Sequence, residues 1–232
     1  MRGRAITNAD MAGPSALDLS VGQHAIERPA PLLHRLLRGP IRAGLDRWFD
    51  FAIDGLEHLP ASGPYILAAN HHNYLDGVVL AVAIPQPISF LVMPRVWRAT
   101  PFHPAFHRHI RSIPINLERP DISALRQALS ALDGGQIVGI FPEGPFSVRG
   151  RLEAGLHGVA LLALRSRVPV VPAAIHGTYE ALRHRRGYIP RRHPIRLRLG
   201  AARVFGASLP GRRTARASVT AQIMDDIAGL LQ

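Results

Sequence analysis

The stretch "YILAANHHNYLDGVVLAVAI", residues 65–84, decides how this chain is read. Its first five residues are apolar and β-rich. A short polar loop follows, "NHHNYLD" (70–76), and then an apolar run of helical length, LDGVVLAVAI. Strand, loop and helix in that order make the opening of an α/β unit. The pattern repeats downstream. Further β-rich runs occupy Ile88–Met93, Ile113–Ile115, Ile137–Phe141, Val168–Ile175 and Ile195–Leu199. Between them lies the helix ISALRQALSAL, with Asp121 placed to cap it and Gly134-Gly135 placed to end it. Two more helices are expected at Leu156–Arg165 and Thr214–Leu231. The latter carries Val219, Ile223, Ile227 and Leu231 on one stripe. The expected fold is one α/β domain over residues 51–232, with a mainly parallel or mixed sheet and helices on both faces.

Upstream, residues 1–29 are small, polar and patternless, which predicts a flexible tail. Residues 30–50 form an N-terminal amphipathic helical segment. Leu33, Leu37, Ile41, Leu45 and Phe49 recur every four residues, with Arg35, Arg38, Arg42 and Arg47 between them. Gly39-Pro40 is expected to split this segment into two helices. Packing on the domain core accounts for its second half at least as well as a surface role does. Arginine beside Trp48 and leucines also suits a membrane interface, so the segment is a candidate membrane-docking element.

Composition narrows the chemistry. The 232 residues include no cysteine, and all 28 basic residues are arginine. Thiolate zinc sites, disulfides and cysteine nucleophiles are excluded. Walker-type phosphate loops and Schiff bases both need lysine, so they are excluded as well. The missing lysine itself is best explained by compositional bias. The net charge of +12 points to anionic partners: lipid headgroups, nucleic acid, coenzyme A or an acidic carrier protein. No apolar run reaches about 18 residues and the N-terminus has no signal-peptide core, so a cytoplasmic, membrane-peripheral protein is expected.

His71 and Asp76 are five residues apart. On one helix that spacing turns the second side chain about 140° from the first. With His71 on the loop and Asp76 in the first helical turn, the carboxylate instead meets the imidazole. One ring nitrogen then donates to Asp76 and the other is left as a base. The place fits, because ligands of open α/β sheets bind beyond the carboxyl ends of strands. A metal would need a third ligand. His103, His107 and His109 are candidates, but Pro104 is expected to disturb the helix that would align them. No GxSxG elbow is present. A loop histidine paired with a capping aspartate explains this one motif equally well.

Four ordered blocks break that tie. They are NHHNYLD with its lead-in GLEHLPASGPYILAAN, then SIPINLERP (112–120), FPEGPFS (141–147) and VPVVPAAI (168–175). Together they resemble the glycerolipid acyltransferase family that includes bacterial 1-acylglycerol-3-phosphate acyltransferases, over roughly residues 51–206. The resemblance implies direct transfer of a fatty acyl chain from acyl-CoA or acyl carrier protein, acting as donor substrate, to a lipid hydroxyl. No cofactor is implied. It casts His71 as general base and Asp76 as the acid that holds its tautomer. It casts Glu143 as an acceptor-binding group and a backbone N–H near Gly144 as the oxyanion donor. Asn70, Pro142, Val171 and Pro172 are supporting positions.

The chain departs from the family pattern in three places. His72 and Asn73 replace a basic or amide residue and a serine. Leu117 stands where an arginine is usual. Pro145 and Phe146 replace a threonine–arginine pair. The two lost arginines are associated with the acceptor's phosphate, so Arg119, Arg149 or Arg151 is expected to substitute, or else the acceptor is a non-phosphate lipid or alcohol. Eleven arginines and no acid fall within residues 183–216. Docking on an anionic membrane or carrier is the favoured reading, a solvated basic face the next. Nucleic acid is disfavoured, since only Tyr188 and Phe205 are there to stack bases. The rival to an enzyme is a non-catalytic basic binding module that keeps the fold.

Overall fold

The structure, a computed structural model, describes residues 30–98, 101–116, 121–183, 189–206 and 212–232. The expected tail 1–29 and the candidate Arg119 lie outside the described residues, as do Arg185 and Arg186 of the basic stretch. Helix α1 (Leu32–Phe49) leads into β1 (Ala52–Asp54) and β2 (Ile66–Ala69). Next come α2 (Tyr74–Ala83), β3 (Ile88–Val92), α3 (Pro94–Trp97), α4 (His103–His109) and β4 (Ile113–Pro114). The second half runs α5 (Ile122–Asp133), β5 (Ile137–Ile140), α6 (Gly158–Ser166), β6 (Val170–His176), α7 (Thr178–Leu182), β7 (Arg196–Leu199) and α8 (Arg212–Leu230).

Among the described residues the strands form one seven-stranded sheet in the order β1-β7-β6-β2-β5-β3-β4. Only β6 and β7 pair antiparallel, so the sheet is mixed and mainly parallel. All four residues of β2 are buried because helices cover both faces. Leu67 and Ala69 join the core under α1 and α2. Ile66 and Ala68 point the other way, into the core built with α5, α6 and α8. The chain leaves β2 toward β3 on one side and leaves β5 toward β6 on the other. Because β2 and β5 are parallel neighbours, their carboxyl ends open a crevice at that divergence, where such sheets bind ligands.

Two expectations need correction. The segment before the domain is one helix, not a pair, since α1 continues through Pro40. Pro40 cannot donate to the Leu36 carbonyl, but Leu36 is 60% exposed, so water can take that bond. Arg38 also ties α1 down, its Nε donating to Val82 O at 2.9 Å. Likewise Pro104 does not disturb α4. It sits in the first helical turn, where a missing N–H costs nothing. Strand β1 is absent from the sequence reading because three residues are too few to show a period.

Gly139 on β5 is a packing requirement. A Cβ there would lie 2.5 Å from the Phe90 ring. Phe90 in turn stacks near-parallel with Phe141, centroids 6.0 Å apart. Gly139→Val is expected to lower stability by about 1–3 kcal/mol through overpacking, read as a fall in the denaturation midpoint.

Candidate active site

The loop after β2 is built by its own capping. Asn73 is the N-cap of α2, accepting from Leu75 N at 2.9 Å, and Asp76 is the third residue of the reciprocal capping box. Asp76 is fully buried. Its Oδ2 accepts from Asn73 N at 2.8 Å and His72 N at 2.6 Å. The same oxygen lies 2.9 Å from His71 Nδ1. The capping interaction thus brings His71 and Asp76 together, with the proton on Nδ1 and Nε2 left as the ring's basic atom. Asn70, also buried, exchanges two bonds with the backbone of Ile175, at 2.9 and 2.7 Å. Those bonds lock the end of β2 to the end of β6.

The ring of His71 is held on its flat side too. It stacks on Phe141, centroids 3.8 Å apart and 10° from parallel. Phe146 meets it edge-on at 5.1 Å. The loop after β5 therefore supplies two walls of the imidazole's seat.

Glu143 is tied into the backbone beside His71. It is buried, and each oxygen accepts one backbone N–H at 2.7 Å: Oε1 from His71, Oε2 from Glu153. Burial raises its carboxyl above the ordinary value, and the bonds from Glu153 and His71 oppose the rise. Buried, with each oxygen taking one backbone N–H, Glu143 is a strut that ties three segments together. The backbone at Gly144 closes on itself. Gly144 N, at φ +80°, donates to Phe141 O at 3.0 Å, and Ser147 N donates to His71 O at 2.7 Å. Both N–H groups are spent closing the loop.

Arg149 does not stand free for a phosphate. Its guanidinium forks onto Glu153, at 2.9 and 2.6 Å. Arg151 lies 4.0 Å from the same carboxylate. Pro142 lines the site cavity and takes Leu156 N on its carbonyl at 2.7 Å. Val171 and Pro172 are buried on β6, paired with Leu67 and Ala68 of β2. The sequence reading missed Arg95. Its guanidinium lies over the Phe146 ring, 5.2 Å from the centroid. That places a cation next to the residue that stands where the family has arginine. No sequence signal pairs residues 95 and 146, because they meet only in three dimensions.

His71 opens onto a cavity of about 930 Å³, at the upper end for ligand sites. Its walls are mainly apolar and come from α1, α2, α4, α5 and α6, including Leu37, Val78, Phe106, Leu125 and Leu161. A basic imidazole at the wall of a large apolar cavity suits an aliphatic substrate that reacts at one end. The profile of the family described as Acyltransferase matches residues 50–176, more than half of the chain. The chain belongs to the acyltransferase family.

Relatives of this chain include a 1-acyl-sn-glycerol-3-phosphate acyltransferase of Bacillus subtilis. It is 30% identical over 123 residues, which is 52% of this chain and 60% of the relative. A chloroplastic 1-acyl-sn-glycerol-3-phosphate acyltransferase of Brassica napus is 29% identical over 129 residues, 54% of this chain and 37% of that protein. The chain thus spans 60% and 37% of these relatives' lengths, in each case under two thirds. The crystal structure of a 1-acyl-sn-glycerophosphate (LPA) acyltransferase from Thermotoga maritima superposes with a TM-score of 0.68. It covers 88% of this chain and 84% of its own at 20% identity, a likeness of fold.

Proposed function

We propose that this acyltransferase moves a fatty acyl chain from an acyl thioester to the hydroxyl of a lysophosphatidate-like glycerolipid. The observation that carries this reading is the His71–Asp76 pair, 2.9 Å apart, at the wall of the apolar cavity. Asp76 holds the proton on Nδ1. Nε2 takes the acceptor's hydroxyl proton as that oxygen attacks the thioester carbonyl. The tetrahedral intermediate then collapses, the C–S bond breaks, and the thiolate leaves with the proton from Nε2. No acyl-enzyme forms, which agrees with a chain that has no cysteine. The donor is acyl-CoA or acyl carrier protein. The test is acceptor-dependent release of thiol by the purified protein, with each donor in turn. Silence with both donors across lysolipid and alcohol acceptors would overturn the reading in favour of a basic binding module.

Arg95 is the residue we assign to the acceptor's phosphate. Arg95→Ala is expected to raise KM for lysophosphatidate roughly tenfold with little change in kcat, the loss of one charge-assisted contact. A second reading has its own observation, the capture of Arg149 by Glu153. If uncharged lysolipids turn over as fast as lysophosphatidate and Arg95→Ala changes neither KM, the acceptor carries no phosphate.

The enzyme docks on an anionic membrane surface through the start of α1 and through α4. Leu32 and Leu36 are exposed there, as is Phe102 at 82%. Leu33 N donates to His109 Nε2 at 3.3 Å, which joins the two elements. Arg35 and Arg108 flank these apolar groups for anionic headgroups. No helix among the described residues is long and apolar enough to cross a membrane. The double variant Leu32→Ser, Leu36→Ser is expected to weaken binding to phosphatidylglycerol vesicles roughly tenfold or more. Unchanged co-sedimentation would remove α1 from the docking surface.

A further inference from the structure

Behind the His71–Asp76 pair lies a group of buried polar atoms that the acyl-transfer reading leaves unused. His72 is 7% exposed and Thr178 is fully buried. Among the described residues, neither ring nitrogen of His72 has a partner, nor does Thr178 Oγ1, nor Asp76 Oδ1. The asymmetry of Asp76 is pronounced. Oδ2 takes three hydrogen bonds and Oδ1 takes none. A buried carboxylate oxygen without a donor is costly, and buried polar groups in folded proteins are satisfied with few exceptions.

These atoms belong to segments that are bonded to one another. His72 N donates to Asp76, and Asn73 Nδ2 donates to the Thr178 carbonyl at 2.7 Å. The loop after β2, the first turn of α2 and the start of α7 therefore converge there. We propose that His72, Thr178 Oγ1 and Asp76 Oδ1 hold an internal water, and that His72 and Thr178 act through it as positioning residues for Asp76. One molecule can meet three of these four atoms, one His72 ring nitrogen among them, since a buried water commonly makes about three hydrogen bonds. It donates to Asp76 Oδ1 and exchanges bonds with the Thr178 hydroxyl and the His72 ring. The His72 ring serves best uncharged. Burial lowers its proton affinity, opposed by Asp76 and Glu180 and reinforced by His71 and His176. His72 stands at one of this chain's departures from the family motif.

The inference rests on the acyl-transfer reading only for what the water does for the rate. Its structural part is tested without turnover. The His71 Nδ1 proton, bonded to Asp76, gives a strongly deshielded NMR resonance that reports how firmly the carboxylate is held. Thr178→Val keeps the shape and removes the hydroxyl. Thr178→Val and His72→Leu are each expected to broaden or shift that resonance and to lower kcat roughly tenfold at constant KM. Thr178→Ser is expected to restore both. A resonance and a kcat that stay in place in both variants, with only the melting temperature lowered, would overturn the proposal. If the resonance responds while every donor and acceptor fails in the wild type, the water site stands and the acyl-transfer reading falls.

Discussion

His71→Ala is expected to reduce acceptor-dependent thiol release by about 10²–10⁴-fold, the usual worth of a general base. The loss should fall on kcat, because the cavity that takes the aliphatic chain is built by other side chains. Stability should change little. The ring makes one hydrogen bond, to Asp76, and two ring contacts, stacked on Phe141 and edge-on to Phe146. Alanine leaves Asp76 with the backbone donors of His72 and Asn73. A cost of about 1–2 kcal/mol is expected from the lost contacts. Circular dichroism and a denaturation curve, run beside the thiol assay, separate the two effects. A variant that keeps wild-type turnover would remove His71 from the chemistry. A variant that unfolds would have to be replaced by His71→Asn before any conclusion.

The second large effect is expected at Glu143, for a different reason. Glu143 must accept twice, once from His71 N and once from Glu153 N. Glutamine offers one acceptor oxygen, and its amide N–H₂ faces the other donor. Glu143→Gln therefore leaves a buried N–H unpaired and is expected to cost about 1–3 kcal/mol. Each kcal/mol corresponds to about 2–4 °C in melting temperature for a chain of this size. Activity should fall with it, since the strut fixes the main chain of His71. The pH dependence gives an independent check. Burial raises the Glu143 carboxyl in the folded state. A carboxyl so raised favours folding most when protonated, below its unfolded value of about 4.3. That contribution is lost as pH rises through the higher folded value. The stability gap between wild type and Glu143→Gln should thus narrow as pH rises through that window. Denaturant titrations at several pH values between 4 and 7 would read it, and a gap that widens instead would show that Glu143 prefers its charged form.

The sequence carried the strand-loop-helix at residues 65–84 because two local signals agree there. A β-rich run ends, and Asp76 suits the first helical turn. The approach of Asp76 to His71 was legible from the same signals, whereas the walls formed by Phe141 and Phe146 were not. Other features depend on neighbours distant in the chain. The continuity of α1 through Pro40 rests on Arg38 reaching the carbonyls at the end of α2. The role of Glu143 as a strut rests on its burial. The pairing of Arg149 with Glu153, four residues on, is an exposed contact that charge counting did not weigh. Arg95 meets Phe146 across fifty positions.

One consequence follows from the double employment of Asp76. The same carboxylate that orients the imidazole also completes the capping box of α2. A descendant of this chain released from any need to transfer acyl groups would still require an acceptor at that place to start the helix. Its aspartate would persist for folding, while the histidine beside it, answering mainly to chemistry, would be free to drift. In comparing such chains, an intact aspartate is therefore a poor witness to activity, and position 71 is where a silent member would first give itself away.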